Sequence, residues 1–220
     1  YFAGGKTWTY EDLWVSDGTS AGTTLLALGP EVPNGFEEAN GSLFFSEELS
    51  SSRDLWRTDG TGSGSVELRD VFESLWDLGP GIGGIMFNHE SAAAGWEPWF
   101  SDGSVGGTGL FKDLNPGAGS SNPWSFALLG GELWFFTDDG GSGLQLWKSD
   151  GTAAGTASVK VVAPSGTYSQ IYVRDLTRAG ASNYFVAEEP STGVELWITD
   201  GTSAGTTVVR DIVPGAASST

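Results

Sequence analysis

The chain of 220 residues contains no cysteine and carries 28 acidic against 10 basic residues, for a formal net charge of −18. Such a charge repels the phosphates of nucleic acids and anionic membrane surfaces, and the lack of cysteine excludes disulfides and Cys-based metal sites. No apolar run approaches the ~18–20 residues of a membrane span. The charge therefore argues against nucleic-acid binding, and the lack of a long apolar run argues against direct membrane insertion.

One phrase recurs five times along the chain: a Trp, an Asp-Gly-Thr turn, a second Gly and a β-rich strand. Its Trp residues are Trp14, Trp56, Trp99, Trp147 and Trp197, at intervals of 42, 43, 48 and 50 residues. A period in the forties with strand-like content is typical of a radial β array, with one propeller blade in each repeat. We therefore predict an all-β fold, a β-propeller of five four-stranded blades, in a single domain covering residues 1–220.

The repeats are expected at approximately 1–30, 31–79, 80–116, 117–164 and 165–215. Proline marks the predicted links between them, at Pro30, Pro80-Gly81, Pro116-Gly117, Pro164 and Pro214-Gly215, where no ladder N–H is needed. The first repeat has room only for strands two, three and four, so the first blade is predicted to be incomplete at the N-terminus. Either that blade has three strands, or the chain is a segment of a longer protein.

Turn chemistry predicts the hairpins within the repeats. In the second repeat, Asn40-Gly41 precedes the predicted strand Leu43-Phe44-Phe45. In the third, Pro98 before Trp99 predicts an edge strand or a bulge. The fourth repeat predicts strands around 125–129, 133–136, 144–149 and 158–162, with Gly130-Gly131 as a tight turn between the first two.

The last copy reads Glu195-Leu196-Trp197, then Asp200-Gly201-Thr202, then Gly205-Thr206. This phrase resembles the ELWxxDGTxxGT repeat, also called hyalin-like, which occurs in multiple copies in large bacterial secreted and surface proteins. The resemblance covers essentially the whole chain, and the other copies are Asp12-Leu13-Trp14 with Asp17-Gly18-Thr19, Asp54-Leu55-Trp56 with Asp59-Gly60-Thr61, Trp99 with Asp102-Gly103-Ser104, and Leu146-Trp147 with Asp150-Gly151-Thr152. It implies a β-propeller and an extracellular or cell-surface location. The family has no agreed catalytic residues, so the resemblance implies none here.

The motif Asp is expected to accept a hydrogen bond from the backbone two residues on, as an Asx turn, while the following Gly supplies a positive φ. The same five carboxylates are candidate calcium ligands: Asp17, Asp59, Asp102, Asp150 and Asp200. Calcium takes six to eight oxygens, usually from several carboxylates, whereas each loop offers one Asp. We therefore favour turns without an ion and keep calcium as the one candidate cofactor.

A carboxylate also stands nine residues before the motif Trp in four repeats, at Glu47, Glu90, Asp138 and Glu188. We place these acids in the turn between strands two and three, together at one end of the blades. They are candidates for binding cations or a basic partner, and the alternative is a set of solvated turn residues. His89, the sole histidine, is expected to be a surface turn residue beside Glu90.

Four Trp residues outside the motif are candidate ligand-binding aromatics: Trp8, Trp76, Trp96 and Trp124. Propeller lectins bind sugars on Trp or Tyr faces, but these residues do not recur at one position of the repeat, so packing is the preferred interpretation. Nucleophile elbow, HExxH and phosphate-loop motifs are missing, and we predict no catalysis. The predicted role is a structural or protein-interaction module of a secreted or surface assembly, with other protein chains as partners. The alternatives are a carbohydrate-binding lectin and a calcium-stabilised adhesion module.

Overall fold

A computed structural model describes residues 1–7, 10–26, 32–48, 53–69, 75–167 and 173–218. In these ranges the chain forms nineteen β-strands and one 3-10 turn, at Gly62–Gly64. The strands lie in five antiparallel sheets, one of three strands and four of four strands. The predicted all-β class and the three-stranded first repeat are therefore confirmed.

The chain divides into two compact units, of which the first contains residues Tyr1–Glu90 and Trp99–Leu110. The first sheet, in this unit, has the order β1-β2-β3, with β1 at Phe2–Thr7, β2 at Tyr10–Val15 and β3 at Thr24–Leu26. The second sheet has the order β4-β5-β6-β7, with these strands at Val32–Ala39, Ser42–Glu48, Arg53–Thr58 and Val66–Arg69.

The third sheet has the order β8-β9-β10-β11, with strands at Leu75–Gly81, Gly84–Ser91, Gly95–Ser101 and Thr108–Leu110. The second unit contains residues Ser91–Pro98 and Phe111–Thr220. Its fourth sheet has the order β12-β13-β14-β15, with strands at Trp124–Leu129, Glu132–Asp138, Leu144–Ser149 and Ala157–Ala163. Its fifth sheet has the order β16-β17-β18-β19, with strands at Arg174–Ala179, Ser182–Glu189, Gly193–Thr199 and Thr207–Val208.

Two hairpins have the turns that their sequences predict. Gly130 and Gly131 have φ values of 67° and 87° between β12 and β13, and Asn40 and Gly41 have 54° and 73° between β4 and β5. Two consecutive residues at positive φ match the right-handed twist of the flanking strands. Within every sheet, strands that are consecutive in sequence are also neighbours in the sheet.

The motif Trp packs against a Phe on the neighbouring second strand. Cross-strand pairs join Phe2 to Trp14, Phe45 to Trp56, Phe135 to Trp147 and Phe185 to Trp197, and the rings of Phe87 and Trp99 lie 6.4 Å apart. Aromatic pairs of this kind stabilise a sheet by roughly 0.2–1 kcal/mol each relative to Ala–Ala. The recurring Trp is therefore part of the packing of each repeat.

One sequence prediction about proline is wrong, and another is wrong in one of its two alternatives. Pro80-Gly81 lies at the end of β8, within the first strand of the third sheet, so the third repeat begins before residue 80. Pro98 lies in β10, which is flanked by β9 and β11 and is not an edge strand. Its carbonyl accepts a hydrogen bond from the Phe111 N–H, just beyond the end of β11, at 2.9 Å.

Candidate functional site

The Asp-Gly-Thr loops have the same hydrogen bonds in all five repeats. The Asp Oδ1 accepts from the backbone N–H of the Thr or Ser two residues on at 2.8–2.9 Å, and from its hydroxyl at 2.7 Å. That hydroxyl in turn accepts from the N–H of the second motif Gly at 2.9–3.0 Å. The predicted Asx turn is therefore present in each loop.

Each loop is closed by a pair of hydroxyls that the sequence prediction did not include. The residue two positions after the motif Trp bonds the residue nine positions after it, as in Ser149 with Thr156 and Thr199 with Thr206, both at 2.7 Å. The equivalent pairs in the other repeats are separated by 2.7–2.9 Å. Because the hydroxyl partners are Ser or Thr in every repeat, an alignment of the five copies contains the signal for this contact.

The two motif glycines are required for different reasons. The first, such as Gly201, has a φ between 87° and 92° in every loop, a conformation that favours glycine. The second, such as Gly205, lies directly beneath the motif carboxylate, and a Cβ there would overlap the Asp side chain. The sequence prediction explained the first glycine and missed the reason for the second.

The pKa of each motif carboxyl is lowered from the usual aspartate value, first by the hydroxyl of the Thr or Ser two residues on and then by its backbone N–H. All five carboxylates are at the surface and exposed. Within the described ranges, no group of three or more His, Asp or Glu side chains is arranged to hold a metal ion. One carboxylate oxygen in each loop is thus already used by the loop itself.

The acids nine residues before the motif Trp lie at the ends of second strands, and the predicted turn position is wrong. Glu47, Glu90, Asp138 and Glu188 belong to β5, β9, β13 and β17. Their exposure also differs: Glu47 is buried at 6% exposure, Asp138 and Glu188 are half-buried, and Glu90 is exposed. They do not form one uniform set of solvated carboxylates.

The neighbouring acids form the turns instead. The Asp139 carboxylate accepts hydrogen bonds from the N–H groups of Gly141 and Ser142 and from the Ser142 hydroxyl, the last at 2.7 Å. Partial burial raises the pKa of Asp139, but the hydrogen bonds from Ser142 and Gly141 outweigh it, so the pKa is lowered overall. Glu189 accepts from Thr192 and Ser191 in the same way.

His89 is buried at 4% exposure, so its prediction as a surface residue is wrong. Its ring meets the Trp99 ring edge-on, with centroids 4.6 Å apart. The side chain belongs to the aromatic packing of the third sheet, where His89 and Phe87, two residues apart on β9, both contact the Trp99 ring. A lone histidine next to an exposed Glu gave no signal of this packing.

The candidate aromatics differ in their surroundings. Trp8 lies outside the described residues. Trp76 in β8 is 51% exposed, with the Arg53 guanidinium carbon 3.6 Å from its ring centroid. Trp124 in β12 is half-buried and donates its indole N–H to the Val173 carbonyl at 3.4 Å, whereas Trp96 is half-buried in the third strand of its sheet.

Trp76 and Trp124 occupy the same place in their repeats, whereas Trp96 lies in a third strand, so the expectation that the aromatics do not recur at one position is corrected for this pair alone. Each precedes a bulge in the first strand of its sheet, and the equivalent residues in the other four-stranded sheets are Asn34 and Arg174. The next residue has a positive φ in all four sheets: Gly35, Asp77, Ser125 and Asp175 have values between 57° and 64°. Bulges redirect side chains, and the four copies of this position hold three different residue types, so the recurrence could not be seen in the sequence.

A buried acid two residues before the motif Trp is a further residue that the sequence prediction missed. The Glu97 carboxylate is fully buried and accepts from the N–H groups of Leu114 and Ser121 at 2.8 and 2.9 Å, and from the Ser121 hydroxyl at 2.6 Å. Glu195 is equally buried and accepts from the Ile212 N–H at 3.3 Å. Burial raises the pKa of Glu97, and its hydrogen bonds oppose that rise without cancelling it. In both repeats the carboxylate on strand three therefore holds the segment of chain that follows strand four.

Successive repeats are also joined by lysines. The Lys112 ammonium group donates to the Thr156 carbonyl at 2.7 Å, and the equivalent Lys160 donates to the Thr206 carbonyl at 2.6 Å. Although Lys112 has the acidic neighbour Asp113 in sequence, its ammonium group bonds a neutral carbonyl. In both cases a cation of one repeat binds the Asp-Gly-Thr loop of the next.

No protein-family model matches the chain, and no curated protein sequence matches it. Within the described parts of the chain, no helix has the length and apolar character that a membrane span requires.

Solved structures similar to the chain are β-propeller proteins, which agrees with its repeated antiparallel sheets. A prolyl endopeptidase matches with a TM-score of 0.63 and 11% identity, over 91% of this chain and 30% of that chain. A puromycin hydrolase matches with a TM-score of 0.61 and 15% identity, over 86% of this chain and 31% of that chain. TolB from Acinetobacter baumannii matches with a TM-score of 0.50 and 10% identity, over 90% and 48%. The chain spans less than half the length of each, and at these identities the likeness concerns the fold alone.

Proposed function

We propose that the five sheets are five blades of a β-propeller of the ELWxxDGTxxGT type, and that it serves as a non-catalytic structural or protein-interaction module. The proposed setting is a secreted or cell-surface assembly, with other protein chains as partners. The propeller fold of the similar structures supports a role in interaction, since such a fold presents repeated loops on a rigid scaffold.

One observation is the main support for this proposal: the polar groups of the motif are hydrogen-bonded within the loops that they form. In each repeat the Asp, both glycines and the hydroxyls are engaged in one loop, and the lysines of two repeats bond the loop that follows. Residues that recur in order to build the scaffold leave the non-repeating surface to recognise a partner. With a net charge of −18, that surface favours a partner with basic residues.

A carbohydrate-binding role is the second candidate, and Trp76 favours it. This side chain is half exposed beside a first-strand bulge, with the Arg53 guanidinium stacked on its ring. Exposed Trp faces stack on sugar rings, and a bulge is a common way to aim a binding residue. Calcium-stabilised adhesion ranks third, because each loop carboxylate already accepts two hydrogen bonds through one oxygen.

The test places a photo-crosslinking residue at Glu90, the exposed member of the four acids that are candidates for binding a basic partner, and expresses the protein in its native source. A matched crosslinker at Glu38, another exposed acid, is the control. We expect a discrete protein adduct from position 90 that position 38 does not give. Equal adducts from both positions would contradict the proposal. Sugar binding on a glycan array that Trp76→Ala abolishes would support the lectin in its place.

A further inference from the structure

The fourth sheet has a longer last strand than the other described sheets. This strand, β15, covers the seven residues Ala157–Ala163 and pairs with β14. The last strands of the third and fifth sheets, β11 and β19, have three and two residues, although the chain that follows each of them is also described. In the described ranges, no strand pairs with the other edge of β15. About 23 Å of strand edge, at about 3.3 Å per residue, is therefore open to another extended backbone.

One residue of the repeat accounts for the extra length of β15. Fourteen residues after the motif Trp, three repeats have aspartate and the fourth has valine: Asp70, Asp113, Asp211 and Val161. The Asp113 carboxylate accepts a hydrogen bond from the Gly117 N–H at 3.4 Å. The Asp211 carboxylate accepts one from the Gly215 N–H at 3.2 Å. Each of these aspartates forms a turn soon after a short last strand, whereas valine has no acceptor for such a turn and favours an extended backbone, so β15 continues to Ala163.

The edge of β15 also lacks the charged side chains that keep other chains away. Natural sheets protect exposed edges with charges, proline or very short strands. Lys160 is the one charged residue of β15, and its ammonium group donates to the Thr206 carbonyl at 2.6 Å and to the Ser203 carbonyl at 3.3 Å. Its neighbour Val161 is 48% exposed. The strand therefore presents an apolar side chain where three other repeats have an acid.

Acidic loops lie at both ends of β15. Asp150 is exposed in the loop that leads into the strand. At the other end, the turn that contains Asp139 lies beside the chain, since the Ser165 hydroxyl donates to the Gly140 carbonyl at 3.1 Å. An extended segment with a basic residue at each end complements this arrangement. A second copy that paired antiparallel through its own β15 would instead bring the Asp150 loop of each molecule to the Asp139 turn of the other, acid against acid.

We propose that β15 binds an extended segment of a partner protein, which adds a fifth strand to the fourth sheet. The backbone of the segment pairs with the edge of β15, and one of its apolar side chains packs beside Val161. A lysine or arginine near each end of the segment faces Asp150 or Asp139. This inference rests on the proposed protein-interaction role and gives that role one surface and one kind of partner.

A displayed library of random ten-residue peptides, selected on the wild-type protein, tests this proposal. We expect the selected peptides to have β-branched or aromatic residues at alternate positions, a lysine or arginine near each end and no proline between them. Val161→Asp gives the fourth repeat the residue of three other repeats. This variant should bind the peptides about tenfold more weakly or worse, because a shorter β15 loses one or two backbone hydrogen bonds to them. Val105→Asp makes the same change at a valine that is 64% exposed in the third-repeat loop, and it should bind them like the wild type.

Modified peptides show whether the backbone makes the contact. Methylation of alternate peptide nitrogens removes the N–H groups from one edge of an extended peptide. One of the two alternate sets should abolish binding to the wild-type protein, and the other should leave it unchanged. In the complex, amides of β15 should exchange more slowly with solvent. Both measurements use the wild-type chain, so they test the proposal even where Val161→Asp disturbs folding.

A selection that enriches no peptide would overturn the inference, as would peptides that bind the Val161→Asp and Val105→Asp variants equally. Equal loss of binding with both methylation patterns would also overturn it. Self-association of the wild-type chain that Val161→Asp abolishes would replace the partner segment by a second copy. None of these results affects crosslinking at Glu90, so failure of this inference is distinguishable from failure of the proposed function.

Discussion

At the residue scale, the conformation of the Asp-Gly-Thr loop depends on one carboxylate and on the two motif glycines that follow it. The carboxylate folds back over the second glycine and accepts a backbone N–H and a hydroxyl from the Thr or Ser between them. A larger residue at the second glycine would displace the carboxylate and release both donors. The third-repeat loop allows a sharp test, because it contains two adjacent glycines of which only Gly107 lies beneath its Asp, Asp102.

We predict that Gly107→Ala destabilises the protein by about 1–2 kcal/mol, because the added methyl group overlaps the Asp102 carboxylate. Gly106→Ala is the matched control: its Cβ meets open space and its φ is not in the left-handed region, so it should be neutral or stabilising by about 0.4–1 kcal/mol. Urea unfolding midpoints measure both. In an Asp102→Ala background the cost of Gly107→Ala should fall, and an unchanged cost would refute the overlap as the cause.

The motif residues show which features of the loop could be predicted from the sequence and which could not. The Asx turn and the positive φ of the first glycine follow from rules about a residue and its near neighbours, and both were predicted. The second glycine looks identical in sequence, but its requirement comes from a side chain five residues earlier folding over it. His89 was misplaced for a similar reason, because its burial depends on Trp99 on the next strand.

At the element scale, turns could be predicted and bulges could not. Asn-Gly and Gly-Gly report a backbone conformation that few other residues adopt, so the hairpins at positions 40–41 and 130–131 were found. The first-strand bulges hold Gly35, Asp77, Ser125 and Asp175 at positive φ. Gly and Asp tolerate this conformation, but both are so common elsewhere in this chain that they do not mark a bulge. Pairing with the second strand imposes that conformation, so only the sheet reveals that Trp76 and Trp124 are equivalent.

Glu97 makes a second contact between elements that the sequence did not reveal. Its carboxylate, on strand three, holds the segment that follows strand four. We predict that Glu97→Gln destabilises the protein by about 2 kcal/mol, since the two carboxylate oxygens accept the Leu114 and Ser121 N–H groups separately and an amide has only one acceptor oxygen. Its NH2 group would face one of these two N–H groups and leave it without an acceptor. Glu90→Gln makes the same change at an exposed acid and should be silent in urea unfolding.

Amide hydrogen exchange gives a local readout of the Glu97 prediction. The Leu114 amide or the Ser121 amide, whichever faces the new NH2 group, should exchange faster in Glu97→Gln, while amides of β17 should keep their protection until global unfolding. Unchanged exchange at Leu114 and Ser121 would show that the carboxylate does not hold this link. The sequence contained a partial signal, since an acid two residues before the motif Trp is present in four of the five copies.

At the scale of the whole molecule, five similar carboxylates act together on the pH dependence of stability. The pKa of each motif Asp is lowered in the folded chain, first by the neighbouring hydroxyl and then by the backbone N–H. A lowered folded pKa gives stability that is fully present above the unfolded value of about 3.9 and is lost as the pH falls through the folded value. Glu97 has the opposite sign: its pKa is raised, so its contribution becomes more favourable as the pH falls.

We therefore predict a steep loss of unfolding free energy below about pH 4, where five carboxyls titrate within one fold. The double variant Asp102→Asn with Asp150→Asn should flatten this slope, because an Asn side chain keeps the acceptor oxygen of the turn but takes up no proton in this range. Glu90→Gln with Glu38→Gln changes the charge equally at exposed acids outside the loops and is the control. Urea unfolding at a series of pH values measures the slopes. Equal slopes in the two double variants would show that general charge, and not the five loops, governs acid stability.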